Sequence, residues 1–281
     1  MSPAAPTRPD ATITATDEAT APPLDDATSP AATAAEATPA TPRRTGTDAD
    51  PAQAARVVAT FDELAPVHDR MAAILSLGMD RRWRAAVVAE TRLTPGDSAI
   101  DVAAGTGRLA TDLADRVGPF GRIVALDLSP QMVERGAERA RDIVQLEFVV
   151  GDALDLPFDD GRFGAATIAF GLGALRDPAA AIRELCRVVR PGGRVVCLEP
   201  TMPRPRWWGR LQHRTAQRFA PLAVSVTVRH DAYRQLHGLT SNVPDAEVLA
   251  GLLRAAGLVD VRYRRLGLGA VALHSGTTPP G

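Results

Sequence analysis

At roughly 150 residues per domain, a chain of 281 residues has room for two, but composition reduces this to one. Residues 1–50 hold 14 Ala, 11 Thr and 8 Pro, no aromatic residue, and only Met1, Ile13 and Leu24 as large apolar side chains. Such a stretch cannot bury enough apolar surface to offset its ordering entropy, and a disordered tail is expected there. Residues 51–281 suffice for one domain with a sizeable core. The net charge of −1 divides into −5 on the tail (three Arg against eight Asp and Glu) and +4 on the domain. All 32 basic residues are Arg, which excludes Schiff-base lysine chemistry and a P-loop lysine. Two cysteines, Cys186 and Cys197, cannot build a disulfide framework or a cysteine-only zinc site, and they read as buried free thiols. No basic start followed by an apolar run marks a secretory signal. No run approaches the ~18 consecutive apolar residues of a membrane span. A soluble, cytoplasmic domain is the expectation.

From Asp50 the pattern is helical. Val57, Phe61, Leu64, Val67, Met71, Ile74 and Leu75 recur at three- and four-residue spacing, with Pro66 interrupting. A second helix is predicted over Asp80–Arg92, before a Thr94-Pro95-Gly96-Asp97 turn. Strand and helix then alternate. Ser98–Ala104, Arg122–Leu128, Leu146–Val150, Gly164–Phe170 and Arg194–Leu198 read as strands. Helices are predicted over Thr106–Val117, after Ser129-Pro130, and from Asp177-Pro178 to Val189, where Pro191-Gly192-Gly193 stops the helix. Residues 201–244 break the rhythm as a helical insertion. Asp245–Ala256 is an amphipathic helix, followed by strands at Val259–Arg264 and Ala270–His274. Alternating βα units demand a mostly parallel sheet covered on both faces, and the ending suggests an antiparallel closure.

Four features carry chemistry. Asp101-Val102-Ala103-Ala104-Gly105-Thr106-Gly107 lies where the first strand turns into its helix, so backbone and helix N-terminus can approach a ligand. Asp127 ends the second strand about 20 residues on, where a carboxylate can hold a ribose. Gly151-Asp152-Ala153 follows the third strand, and Arg190-Pro191-Gly192-Gly193 precedes the fifth. A dinucleotide site wants a third glycine where Ala110 stands, although alanine is sometimes tolerated there. Several carboxylates repel phosphates and suit a cationic, phosphate-free ligand. S-adenosylmethionine has that chemistry.

DVAAGTGRL, VALDLSPQMVERG, GDALDLPFDDGRF, TIAFGL and RVVRPGGRVVCLEP together resemble class I S-adenosylmethionine-dependent methyltransferases. More narrowly, they resemble the C-methyltransferases of menaquinone and ubiquinone biosynthesis. Phe61-Asp62-Glu63-Leu64-Ala65, Asp69-Arg70-Met71 and Ser76-Leu77-Gly78, then Asp231–Leu236 and Val271–Gly276, extend the resemblance over about residues 57–276. It implies an α/β fold: a doubly wound, mostly parallel seven-stranded sheet with N-terminal helices and a helical lid at about 201–244. It assigns Thr106, with Gly105 and Gly107, to the cofactor's methionine end. Asp127 goes to the ribose, Asp152 and Ala153 border the adenine, and Ala169 is a further cofactor position. Asp101 is expected to orient the loop or meet the ammonium.

The substrate side departs from the family. Where Arg-Asn is usual after FG-x, this chain has Phe170-Gly171-Leu172-Gly173-Ala174; the usual Tyr-Asp is His68-Asp69, and an Asn is replaced by Ala72. His68, beside Asp69, is the first candidate base, because an imidazole can accept a proton at neutral pH. A packing or capping role for His68 is the alternative. Tyr233 and His237 are further candidates in the substrate segment. His213 and His230 read as surface residues and His274 as structural. No histidine shows metal-ligand spacing, so no metal is expected.

Residues 201–235 carry seven Arg, one acid, Trp207 and Trp208, which suits a solvated lid or peripheral contact with the inner face of a membrane. A domain charge of only +4 argues against nucleic acid as partner. The expected reaction is methylation of a small molecule, C-methylation of a demethylmenaquinone-like or other phenolic acceptor, with a lipid quinone as the specific partner. The alternatives are a secondary-metabolite methyltransferase with another acceptor, or a non-catalytic S-adenosylmethionine-binding protein.

Overall fold

The computed structural model describes residues 51–201 and 244–281. The tail expected at 1–50, nearly all of the lid expected at 201–244, and the candidates Tyr233 and His237 lie outside the described residues, as do His213 and His230.

The N-terminal periodicity folds as α1 (Pro51–Leu64), α2 (His68–Leu75) and α3 (Asp80–Thr91). Pro66 falls in the turn between the first two, where its missing N–H breaks no helical bond. Then come β1 (Ser98–Val102), α4 (Arg108–Val117), β2 (Arg122–Asp127), α5 (Pro130–Arg139), β3 (Leu146–Val150) and β4 (Phe163–Ala169). They lead to α6 (Pro178–Val188) and β5 (Val189–Pro200), and the chain closes with α7 (Ala246–Ala255), β6 (Val259–Leu266) and β7 (Val271–Thr277). The cap residues act as the sequence implies. Ser129 Oγ accepts from the Met132 N–H at 3.1 Å and Asp177 Oδ1 from the Ala180 N–H at 2.9 Å, each ahead of a first-turn proline.

The strands form one seven-stranded sheet in the order β3-β2-β1-β4-β5-β7-β6. The first five are parallel, and β7 runs antiparallel to both neighbours. This is the expected doubly wound, mostly parallel architecture. Alternate residues of the strands feed two cores. Ala99, Ile123, Ala125, Ala165, Val196 and Leu198 pack with Val87 of α3 and Leu109, Leu113 and Val117 of α4. Ile100, Val102, Val124, Leu126, Ile168 and Cys197 pack with Ile182 and Leu185 of α6 and Leu249 and Leu253 of α7. Cys197 is buried as expected, whereas Cys186 is only half-buried; both are free thiols.

One boundary differs in kind from the sequence reading. Strand β5 starts at Val189, before the Pro-Gly-Gly, and its pairing with β4 jumps from Phe163↔Val189 to Ala165↔Arg194. The turn residues bulge out of a strand instead of preceding one, and Thr278 ties them down through its N–H to Gly193 O at 3.0 Å and its hydroxyl to Arg190 O at 2.6 Å. The crossover from β3 to β4, residues 151–162, contains no helix. Arg187 of α6 holds it by donating to the carbonyls of Leu156 at 2.9 Å and Phe158 at 2.7 Å. The sheet's order reverses between β1 and β4, so a ligand crevice belongs at the carboxyl ends of these strands.

Candidate functional site

A cavity of about 490 Å³ opens at that edge, within the ordinary range of small-molecule sites. The glycine loop forms one wall. Gly105 has φ +55°, in the left-handed region, and the His68 ring lies alongside it: a Cβ there would stand in ordinary contact, 3.4 Å from the ring's Cε1. Gly107 has φ +73°, and a Cβ there would collide with Phe148 of β3. Glycine is thus required twice, once for left-handed backbone and once for close approach.

Asp127 sits where β2 ends. Its Oδ2 accepts the Gly105 N–H at 2.7 Å and its Oδ1 the Ser129 N–H at 2.9 Å. Burial raises its pKa despite these bonds from Ser129 and Gly105. Asp127 lines the cavity, and a carboxylate's roughly four lone-pair sites exceed the backbone bonds it accepts. Asp152 and Ala153 line the same end beside Leu128, Met132 and Leu154, an apolar slot flanked by carboxylates. Asp152 Oδ1 accepts the Leu154 N–H at 2.9 Å, and its Oδ2 lies 4.0 Å from the Arg176 guanidinium. Ala169 lines the cavity as well. Apolar side chains, two carboxylates and bare backbone at the loop fit an adenosine bearing a cationic, phosphate-free side chain.

The other three cofactor candidates lie beneath the wall instead of on it. Asp101 is 2% exposed, and its Oδ1 accepts from the Thr167 hydroxyl at 2.6 Å. Burial, opposed by that hydrogen bond and reinforced by the negative charge of Asp127, pushes its carboxyl up to about 7. It is not among the residues that line the cavity. The Thr106 hydroxyl donates to Asp69 Oδ1 at 2.7 Å, and Gly107 packs on Phe148.

Of the catalytic candidates, His68 lines the cavity, with Nδ1 3.4 Å from Asp69 Oδ1. Asp69 is not on the cavity wall. Its Oδ2 takes a hydrogen bond from Arg139 at 2.7 Å, and Arg139 also donates to the Thr106 carbonyl. Burial disfavours the Asp69 carboxylate, but the His68 and Thr106 hydrogen bonds and the Arg139 charge outweigh it and hold Asp69 well below the usual carboxylate range. A carboxylate so engaged and so readily ionised is poorly suited to act as a base. His274 is buried, with Nε2 2.8 Å from Ala246 O and its ring stacked on Tyr263. It is structural.

Two residues escaped the sequence reading. Arg139 acts on Thr106 across 33 residues, and nothing local to α5 marks it. Glu199 ends β5, lines the cavity and is 1% exposed. Its Oε1 accepts the Gly171 N–H at 3.0 Å and the Leu172 N–H at 2.9 Å, while Oε2 has no partner among the described residues. Burial, against those two bonds, pushes its carboxyl up to about 8. A lone acid after the apolar run Val195-Val196-Cys197-Leu198 was the available signal. Among the described residues, Phe170, Ala174, Leu175, Pro200, Val271 and Trp83 make the wall at this end largely apolar.

The family model described as the ubiE/COQ5 methyltransferase family matches residues 50–278. The demethylmenaquinone methyltransferase of Clavibacter sepedonicus is 39% identical over 227 residues, 80% of this chain and 91% of that protein. The ubiquinone/menaquinone biosynthesis C-methyltransferase UbiE of Pseudomonas putida is 35% identical over 231 residues, 81% of this chain and 90% of that protein. Among solved structures, a SAM dependent methyltransferase from Aquifex aeolicus superposes with a TM-score of 0.52 at 18% identity, covering 69% of this chain and 88% of that one.

Proposed function

Because the chain belongs to the ubiE/COQ5 methyltransferase family, and so is an S-adenosylmethionine-dependent methyltransferase, we propose that it methylates a ring carbon of a demethylmenaquinone-like quinol. The observation that carries this reading is the two-ended cavity. Carboxylates and bare backbone line one end, and a largely apolar wall with Glu199 lines the other. The relatives' printed activities supply the acceptor class.

When bound, S-adenosylmethionine supplies an electrophilic methyl group. The chain's own residues must then hold the acceptor and take up a proton. Asp127 receives the ribose hydroxyls, and Asp152 with Ala153 borders the adenine. Leu128, Met132 and Leu154 exclude water from that slot. His68 is the proposed base. With Nδ1 turned to the ionised Asp69, Nε2 is the nitrogen left to take the proton of a ring hydroxyl. Positioning supplies much of the remaining rate, because two reactants held in line react as one molecule.

The sequence of residues 201–235, which lie largely outside the described residues, supports a peripheral role for this segment at an anionic membrane surface. Among the described residues no helix is long and apolar enough to cross a membrane. Flotation with anionic liposomes should weaken when Arg204, Arg206 and Arg210 are neutralised; unchanged flotation contradicts the contact. For the reaction itself, the gene should restore methylated quinone to a strain lacking quinone-ring methylation. Failure with the protein expressed, alongside methylation of another phenol in vitro, would favour the secondary-metabolite alternative that the missing Arg-Asn pair raises.

A further inference from the structure

Among the described cavity carboxyls, Glu199 and Asp80 are employed by neither the cofactor end nor His68, and Asp80 is already paired with Arg84 and Arg108. Glu199 stands at the carboxyl end of β5, and β1 and β4 separate it from Asp127 of β2. Its Oε1 already accepts two backbone N–H groups, so a proton on the carboxyl belongs to Oε2. That atom is buried and has no partner among the described residues. Buried polar atoms are nearly always hydrogen-bonded, and an exception calls for an explanation.

We propose that Glu199 works as a neutral carboxylic acid, donating its Oε2–H to a ring oxygen of the methyl acceptor and stabilising the negative charge that gathers there. The proposal rests on the phenolic-acceptor reading above and assigns it a second contact, distinct from the base. Several observations agree. Among the described residues no cation offsets the burial of Glu199, and burial favours its protonated form. Gly173 and Ala174 in the adjoining loop provide no polar side chain. A carboxylic acid kept neutral by an apolar site is a known way to donate to a developing oxyanion. Its two backbone bonds fix the carboxyl before the acceptor arrives, which is what such stabilisation requires.

The groups around Glu199 leave its titration distinct. Cys197, on the same strand face, is a thiol that burial raises well above its ordinary value. Across the ladder β7 presents Ala272, and the Gly171–Ala174 loop presents backbone and apolar side chains. Among the described residues, the titratable groups that line the cavity with Glu199 are His68, Asp80, Asp127, Asp152 and Arg176, on α2, α3, the ends of β2 and β3, and the segment before α6.

The test is the pH profile of methyl transfer to demethylmenaquinol by the full chain, compared with Glu199→Gln and Glu199→Leu. Calorimetry with S-adenosylmethionine accompanies each variant. Glutamine keeps the oxygen for both N–H groups and replaces the O–H donor with a non-titrating N–H. Wild type should lose kcat as pH rises through about 8, and Glu199→Gln should lack that decline while keeping kcat within about tenfold at neutral pH. Glu199→Leu should lose about 10²–10³-fold in kcat with cofactor affinity intact. A merely structural Glu199 would leave no difference between the alkaline limbs. An alkaline decline retained in Glu199→Gln, or a wild-type kcat in Glu199→Leu, overturns the proposal. If Glu199→Leu does not fold, the Glu199→Gln profile decides. A wild-type enzyme that ignores the quinol but methylates another phenol sinks the quinone reading alone, and the same comparison on that phenol decides the role of Glu199.

Discussion

Asp127 and Asp101 are carboxyls at the ends of neighbouring strands, yet their surroundings give them different work. Asp127 lines the cavity while the Gly105 and Ser129 N–H groups orient it. Asp127→Ala should weaken S-adenosylmethionine binding about 10–100-fold by calorimetry, the loss expected for hydrogen bonds to a charged group; unchanged affinity would remove it from the site. Asp101 is sealed beneath the loop and has its carboxyl pushed up to about 7. A group raised in the folded state contributes fully below its unfolded value, near 3.9, and loses that contribution as pH rises through the folded pKa. Asp101→Asn can still accept from Thr167 and cannot ionise. Its melting temperature relative to wild type should therefore increase between pH 5 and pH 8, and a pH-independent difference would contradict the assignment. The glycine loop, Asp127 and Asp152 were legible in the sequence because their spacing is local to strand ends. That Asp101 and Thr106 turn away from the cavity was not, because their partners Thr167 and Asp69 are distant in the chain.

At the scale of elements, the N-terminal helices are fastened to the cofactor loop by a few polar ties. Asp69 of α2 bonds Thr106 and Arg139, and Asp62 of α1 accepts from the Ser129 hydroxyl. These ties hold His68 against Gly105. Arg139→Ala removes donors to both Asp69 and the Thr106 carbonyl, so amide exchange in α2 should rise severalfold while β1 and β4 stay protected; uniform exchange would show that the tie is dispensable. The Asp69 pKa is lowered, so its contribution is present above the unfolded value and is lost as pH falls towards the folded one. Elements themselves were legible from periodicity and cap residues. The start of β5 was not, because Pro-Gly-Gly reads as a helix stop. Only the ties from Thr278, 85 residues on from Gly193, make it a bulge within a strand.

For the whole molecule, alternation of strands and helices sufficed to predict a parallel sheet, and the closing antiparallel strand followed from two strands too near for a crossover helix. The acceptor end was less legible, since Glu199, Trp83, Phe170 and Val271 reach one cavity from four separate parts of the chain. We propose that residues 1–50 take no part in the site. Their removal should leave S-adenosylmethionine affinity within about twofold by calorimetry, and a larger loss would assign the tail a role in binding. The central claim is transfer of a methyl group to a quinol carbon. Its most direct test incubates the full chain with S-adenosylmethionine carrying a ¹³C-labelled methyl group and demethylmenaquinol, then locates the label by NMR. The account predicts a carbon-bound ring methyl whose yield at subsaturating cofactor falls in Asp127→Ala. A label found on oxygen, or no transfer by protein that binds the cofactor, would contradict it.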